Sequence, residues 1–252
     1  VPIKWLLDSS YADLRRSLID FDRAIQRMPD PGNPYDFMNS NSGPKPFLHP
    51  EPVSGIAETD TSYICVIDKW CNGFSATPSD GIEGAPVVEG LGFSMSARGS
   101  QAWLDPEHPA AIMPGKRPRL TPTPGMAFRD DNLWMTFGTP GADVQCQSML
   151  QLLMNVIEFD MDVQEAVEAP RFATWSFPAS HVPHPYEKNV VTLEGIIEDN
   201  CAENLGALGH EIQVLNDWVP RLGSLSAIEI DRSRNTLNGS SDLRRESYAI
   251  GR

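Results

Sequence analysis

The residues with the clearest chemical potential lie in Glu58-Thr59-Asp60-Thr61-Ser62-Tyr63-Ile64-Cys65-Val66-Ile67-Asp68, followed by Lys69 and Asn72. A polar stretch runs directly into a hydroxyl residue at the first position of a β-rich segment. That arrangement suits a chain that cuts itself. The Thr61 hydroxyl attacks the carbonyl of Asp60, the ester is hydrolysed, and the new chain begins with a free threonine. A threonine hydroxyl is a poor nucleophile until a base takes its proton. A free α-amino group, titrating near pH ~8, is close enough to neutrality to be that base, and the N-terminal threonine is a variant of the Ser-His-Asp logic. Taken alone, Thr61 also reads as an ordinary β-former opening a strand after a loop.

Other chemistries find less support. His181-Val182-Pro183-His184 suggests a metal, but no acidic or cysteine partner sits at helical spacing and Pro183 forbids a regular helix, so no metal is expected. Gly90-Leu91-Gly92 lacks the third glycine of a dinucleotide loop, and GxSxG does not occur. Cys65, Cys71, Cys146 and Cys201 form no CxxC pair; Cys65 and Cys146 read as small buried hydrophobes.

The elements that must position Thr61 follow from pattern. Ser62–Asp68 is a strand, Lys69–Gly73 turns the chain, and Phe74–Ser79 returns as its hairpin partner. Met126–Phe128 and Leu133–Phe137 flank Arg129-Asp130-Asp131-Asn132 as a second hairpin. Gly138-Thr139-Pro140-Gly141-Ala142-Asp143 leads into a helix over Val144–Ile157, with Asp143 as its cap. A short helix follows over Val163–Glu168, started by Asp162 with Glu165 and ended by Pro170; another spans Ile196–Leu208 before Gly209. Ile212–Leu215, Leu225–Asp231 and Thr236–Asn238 read as strands. Hairpins alternating with helices indicate layered antiparallel sheets covered by helices.

Upstream, Tyr11, Leu14, Leu18, Phe21, Ile25 and Met28 share one face of a helix over 9–28, started by Ser10 with Asp13 and stopped by Pro29. Residues 29–57 hold seven prolines and read as an exposed connector. The chain does not begin with Met and shows no signal peptide, which suggests a processed or partial product with more protein upstream.

Composition removes whole classes of function. Forty per cent apolar residues allow a sizeable core, and no apolar run approaches the length of a membrane span. A net charge of -14 repels phosphate backbones, so nucleic acid is not an expected partner.

Five segments in order then resemble the γ-glutamyltranspeptidase family. They are Thr61 through Asp68-Lys69, GLGFSMSARG (90–99), PGKRPRLTPTPG (114–125), FGTPGAD (137–143) with the helix and EAPRF (168–172) after it, and Asp242-Leu243-Arg244. The resemblance implies an α+β fold, a four-layer αββα sandwich of the N-terminal-nucleophile hydrolase type. It also implies three regions: 1–28 as the helical end of a large subunit, 29–60 as the connector before the processing site, and 61–252 as the small subunit. The implied activity is cofactor-free cleavage of a small-molecule amide through a threonyl acyl-enzyme. The partner would be a large N-terminal subunit cut from the same precursor.

On that resemblance Thr61 is nucleophile and base. Ser79 orients it, the N–H groups of Gly141 and Ala142 form the oxyanion hole, and Arg98, Thr121 and Ser62 contact substrate. Departures are as informative. Family members that act on γ-glutamyl compounds hold the α-amino group with an acid after the 90–99 region, where this chain has Arg98-Gly99-Ser100-Gln101 and no carboxylate until Asp105. Leu120 and Thr121 replace a Ser-Ser pair, and Gly81 replaces an expected Asn. These changes resemble the acylase- and amidase-like branch, with Arg98 on a substrate carboxylate; an ordinary surface arginine is the other reading. Two alternatives stand beside this one: a catalytically silent relative that binds or builds, and γ-glutamyl transfer through a rebuilt pocket.

Overall fold

The computed structural model describes residues 2–37, 61–80, 85–197 and 199–251. Most of the expected connector, the 60–61 bond and Gly81 therefore lie outside the described residues. Two short helices open the chain, α1 (Ile3–Leu6) and α2 (Ser9–Arg16). Helix α2 is much shorter than the 9–28 periodicity predicts, and Asp8, not Ser10, caps it by accepting from the Ser10 N–H at 2.9 Å. It stops because side chains beyond it offer the backbone other partners. Ser17 Oγ donates to Leu14 O at 2.7 Å, and the Asp20 carboxylate accepts from the Asp22 N–H and Arg23 Nε. Leu14, Leu18, Phe21 and Ile25 are exposed, so no packing rewards the amphipathic stripe.

Strands β1 (Ile64–Ile67) and β2 (Gly73–Ala76) pair antiparallel, as expected for the Thr61 hairpin. Asp68 closes it, its carboxylate accepting from the Trp70 and Asn72 N–H groups and from the Asn72 side-chain amide, each at 2.9 Å. The second hairpin joins β3 (Gly125–Arg129) to β4 (Asn132–Gly138). Asp130 and Asp131 both take positive φ, 49° and 60°. This is the primed turn whose twist matches its strands and whose left-handed positions aspartate tolerates.

Helices α3 (Gln145–Glu158) and α4 (Val163–Glu168) follow, then β5 (Phe172–Thr174), β6 (Val190–Glu194), α5 (Asp199–Ala207), β7 (Glu211–Leu215), β8 (Ser226–Asp231) and β9 (Thr236–Ser241). The start of α4 is the expected capping box: Asp162 accepts from the Gln164 and Glu165 N–H groups, and Glu165 accepts from the Asp162 N–H. Strands β3-β4-β8-β9 form a four-stranded antiparallel sheet; β5-β6-β7 form a second, with β6 and β7 parallel across α5.

A bulge in β4 sorts its side chains. Ala127 faces Met135 and Phe128 faces Leu133, which leaves Trp134 without a partner. Trp134, Met135 and Phe137 then all pack with Met149 and Leu152 of α3 and Val163, Ala166 and Val167 of α4. Leu133 points the other way, against Ile67 of β1 and Ile230 of β8. The sheet thus carries helices on one face and the Thr61 hairpin on the other. Each large apolar side chain buried there contributes about 1.5–3 kcal/mol.

The class is α+β, and among the described residues α3 with α4, the four-stranded sheet and the Thr61 hairpin stack as layers. Cys146, expected to be buried, is exposed on α3, while Cys65 is half-buried, and all four cysteines are free. Among the described residues no helix is long and apolar enough to cross a membrane.

Candidate active site

Thr61 sits immediately before β1, in a hairpin that continues toward it through the Ser62 N–H donating to Pro78 O at 3.0 Å. Its side chain is buried, and its Oγ1 lies 2.8 Å from Ser79 Oγ, on the returning strand's extension. Arg245 Nη1 reaches the Thr61 carbonyl at 3.5 Å, so the segment after β9 also closes on this residue.

Arg98 approaches the same point from the turn 97–101. Its Nε donates to Ser79 O at 3.1 Å, its Nη2 to Ser79 Oγ, and its Nη1 to Thr121 Oγ1 at 3.4 Å. Thr121 Oγ1 also accepts from Gln101 Nε2 at 3.2 Å, and Gln101 is fully buried. Gln101 Nε2 lies 3.1 Å from His181 Nε2. Burial pushes the His181 imidazole below its ordinary range, and the Arg98 charge pushes it further. Among the described residues no carboxylate pairs with Arg98. Asp143 is held by Arg119 at 3.7 Å and by Ser180, and Asp80 accepts from Ser96 at 2.8 Å. Five expected positions therefore behave differently. Thr61, Ser79, Arg98 and Thr121 form one hydrogen-bonded chain, whereas the Ser62 side chain is exposed and takes no part in it.

The turn after β4 meets this chain at the same end of the fold. Tyr63, two residues past Thr61, lays its ring over Gly138, where a Cβ would collide with it. Three residues on, Gly141 takes φ 124° and Ala142 takes φ 49°. Gly141 has no room for a side chain either: a Cβ there would meet Val144 Cγ1 at 2.5 Å and Gly223 Cα at 3.4 Å. Ala142 accepts the left-handed region at a cost of about 1–2 kcal/mol. The N–H groups of Gly141 and Ala142 donate to no acceptor among the described residues. Asp143 does not cap the helix, contrary to the sequence expectation. Its carboxylate instead accepts from the Ser180 N–H and Oγ, which docks the loop 179–185 on this turn.

A buried ion network braces the far side. Arg171 Nη2 donates to Asp242 Oδ2 at 2.5 Å, Arg244 Nη1 to Asp242 Oδ1 at 3.1 Å, and Arg244 Nε to Glu194 Oε1 at 2.6 Å. Burial pulls the Arg171 guanidinium down to about 10 despite its anionic partner. Arg244 pays the same burial, yet its bonds to Glu194 and the Asp242 charge lift it above the ordinary range. The network reaches the turn through loop 222–225. Arg171 Nη1 donates to Leu222 O at 3.2 Å, the Leu225 N–H to Asp242 at 2.8 Å, and the Ser224 N–H to Thr139 Oγ1 at 2.7 Å.

Both histidines of the 181–184 motif have partners within the fold, His181 at Gln101 and His184 at Trp103. His184 stacks on Trp103 at 4.0 Å, and His108 stacks on the other face at 4.1 Å. Among the described residues no three His, Cys, Asp or Glu side chains converge as a metal site. Gln101 and Arg245 join the site without a sequence signal for that role, and His181, which the sequence offers only as half of a metal-like motif, joins it through Gln101.

A family model described as Gamma-glutamyltranspeptidase matches residues 1–252. The glutathione hydrolase proenzyme of Bacillus subtilis (strain 168) is 28% identical over 253 residues, which cover 100% of this chain and 40% of that protein. The acylase ACY 1 proenzyme of Pseudomonas sp. (strain V22) is 33% identical over 216 residues, 84% of this chain and 32% of that protein. The solved structure of LmbA2991HD superposes with a TM-score of 0.87 at 33% identity, over 100% of this chain and 44% of that one. The chain thus spans less than half the length of each.

Proposed function

Because this chain belongs to the gamma-glutamyltranspeptidase family, we propose that it is the nucleophile-bearing part of a self-cleaving amidohydrolase in which Thr61 is both nucleophile and base. The observation that carries this reading is the buried Thr61 hydroxyl at the mouth of β1, 2.8 Å from Ser79 Oγ. Cleavage of the 60–61 bond frees the Thr61 α-amine. That amine takes the hydroxyl proton while Oγ1 attacks the substrate carbonyl, and the N–H groups of Gly141 and Ala142 stabilise the oxyanion. Collapse expels the amine, which leaves with the proton from the Thr61 ammonium. Water, or an acceptor amine, then attacks the threonyl ester and releases the acid or a new amide.

In this reading residues 1–28 end a large subunit, 29–60 connect it to the cleavage point, and 61–252 are the small subunit. The fourth, helical layer of an αββα sandwich would cover the outer face of the β1–β2 hairpin, where Ile64, Val66 and Phe74 are exposed. The proenzyme names of the two relatives support self-cleavage, and their glutathione hydrolase and acylase names support amide substrates. Arg98 and Thr121, in the place of the usual γ-glutamyl anchors, favour the acylase-like side, with Arg98 on a substrate carboxylate.

The test is Thr61→Ala in the full precursor. Neither chain cleavage nor amide turnover is expected from it. Wild-type turnover by that variant removes Thr61 from its role, and a wild-type protein that never releases a chain starting at Thr61 favours the silent relative.

A further inference from the structure

Two guanidinium groups close on Thr61 from distant parts of the chain. Arg98 comes from the turn 97–101, and its Nη2 donates to the Ser79 Oγ that lies 2.8 Å from Thr61 Oγ1. Arg245 comes from the segment after β9, and its Nη1 donates to the Thr61 carbonyl at 3.5 Å. Both side chains are partly buried, and among the described residues neither forms an ion pair.

The other titratable groups around Thr61 leave these two charges in place. Tyr63 on β1 stays neutral, because burial pushes its phenol up. Asp80 follows Ser79 but is exposed, screened by water and bonded to Ser96 at 2.8 Å. At the turn after β4, Asp143 is paired with Arg119 at 3.7 Å. In the loop 179–185, burial and then Arg98 disfavour the charged form of His181. Beside Arg245, Glu246 is exposed, while Arg171 and Arg244 balance Asp242 and Glu194 in the interior.

Bond lengths place the Arg245 charge near the Thr61 nitrogen. The nitrogen and the carbonyl oxygen of one residue lie about 3–3.6 Å apart, so Arg245 Nη1 is within about 7 Å of that nitrogen. At this range a fixed cation makes a second positive charge harder to form, which lowers an amine by about 0.5–1.5 pH units. In the uncleaved chain the nitrogen belongs to an amide and does not titrate. The effect therefore begins only when the 60–61 bond is cut.

We infer that Arg98 and Arg245 are positioning residues for the base: their charges hold the freed Thr61 α-amine in its neutral form near pH 7. The inference rests on the proposed role of Thr61 as nucleophile and base. An ordinary α-amine, titrating near pH ~8, is about nine-tenths protonated at pH 7 and cannot accept the hydroxyl proton in that form. Lowered by about one unit, half of it is ready, and the ammonium formed during attack is a stronger acid toward the leaving amine. Burial of Thr61 acts in the same direction, so substitution must separate charge from burial.

The test needs no substrate. The mature full-length protein is treated with a trace of acetic anhydride between about pH 5 and 9, which brackets the α-amine range. Only the neutral amine reacts, and the extent at Thr61 is read by mass spectrometry of the tryptic peptide 61–69. The wild-type midpoint is expected about one unit or more below pH ~8. Arg245→Gln and Arg98→Gln should each raise it by about 0.5–1.5 units, while Arg245→Lys, which keeps the charge, should leave it low. A merely structural role would change the yield of cleaved chain without moving the midpoint. If the glutamine variants fail to fold, salt decides: about 0.5 M should raise the wild-type midpoint, since ions screen charge and not burial. A wild-type midpoint at the ordinary value, or one that neither variant moves, overturns the inference and leaves the amidohydrolase standing; so does a midpoint indifferent to salt where the variants do not fold. The absence of any chain beginning at Thr61 overturns both.

Discussion

Replacing Asp242 with Asn removes one charge from a network that holds two cations and two anions in the interior. Asp242 is 3% exposed and accepts four bonds: Arg171 Nη2 at 2.5 Å, Arg244 Nη1 at 3.1 Å, the Arg244 N–H at 2.9 Å and the Leu225 N–H at 2.8 Å. With Asn there, Glu194 alone faces Arg171 and Arg244, and a net positive charge is left buried. Breaking a buried pair from one side costs about 3–5 kcal/mol. With a urea slope of up to about 3 kcal/mol per molar, the midpoint of the full-length protein should fall by about 1 M or more. Turnover should fall with it, because Leu225 and Leu222 flank the Gly223 that packs on Gly141. Adding Arg171→Leu restores electrical balance, so the double variant should be more stable than the sum of the single losses by about 1 kcal/mol or more. A single variant within about 1 kcal/mol of wild type, or strict additivity in the pair, would refute this reasoning.

Other substitutions probe single features. Gly141→Ala forces a Cβ into φ 124° and against Val144, so it should cost more than about 2 kcal/mol and at least about 100-fold in kcat; near-normal kcat would detach that turn from the oxyanion. Ser79→Ala removes the hydroxyl shared by Thr61 and Arg98 and should lower kcat roughly 10-fold, with unchanged kcat counting against it as the orienting group. His181 titrates below the ordinary value of 6.5 because burial and then Arg98 disfavour its charged form. The unfolded chain takes that proton first, so the stability it contributes is complete above about pH 6.5 and erodes as pH falls. His181→Gln should flatten the loss of urea midpoint between pH 7 and pH 5.5; an unaltered pH slope would assign that loss to other groups.

What was legible in the sequence was local. Alternation, turn residues and caps located both hairpins, α3, and α4 to the residue, because Asp162 with Glu165 and Asp130-Asp131 encode their geometry within four positions. The helix over 9–28 failed for want of anything to pack against. Its apolar face is real, but Ser17 and Asp20 divert the backbone and Leu18 and Phe21 stay in solvent. Strands β5 and β6 were missed because a three-residue strand, and a strand buried along nearly its whole length with Thr192 and Glu194 inside, carry no period-two signature. At the site, Thr61, Ser79, Arg98 and Thr121 came from ordered segments, and the fold brings them into contact. Gln101 and His181, 80 positions apart, meet only because the loop 179–185 docks on the 97–101 turn through the Val182 N–H and Ser100 O at 2.9 Å. No spacing rule reaches across that distance.

Intact mass spectrometry of the purified, amide-hydrolysing protein tests the proposed chemistry most directly. The expected result is two chains, the smaller with a free Thr61 at its N-terminus, and a single covalent adduct on that chain when turnover is trapped with an acylating inhibitor. Full activity from material whose 60–61 peptide bond is intact would leave the threonine without its base and contradict the mechanism.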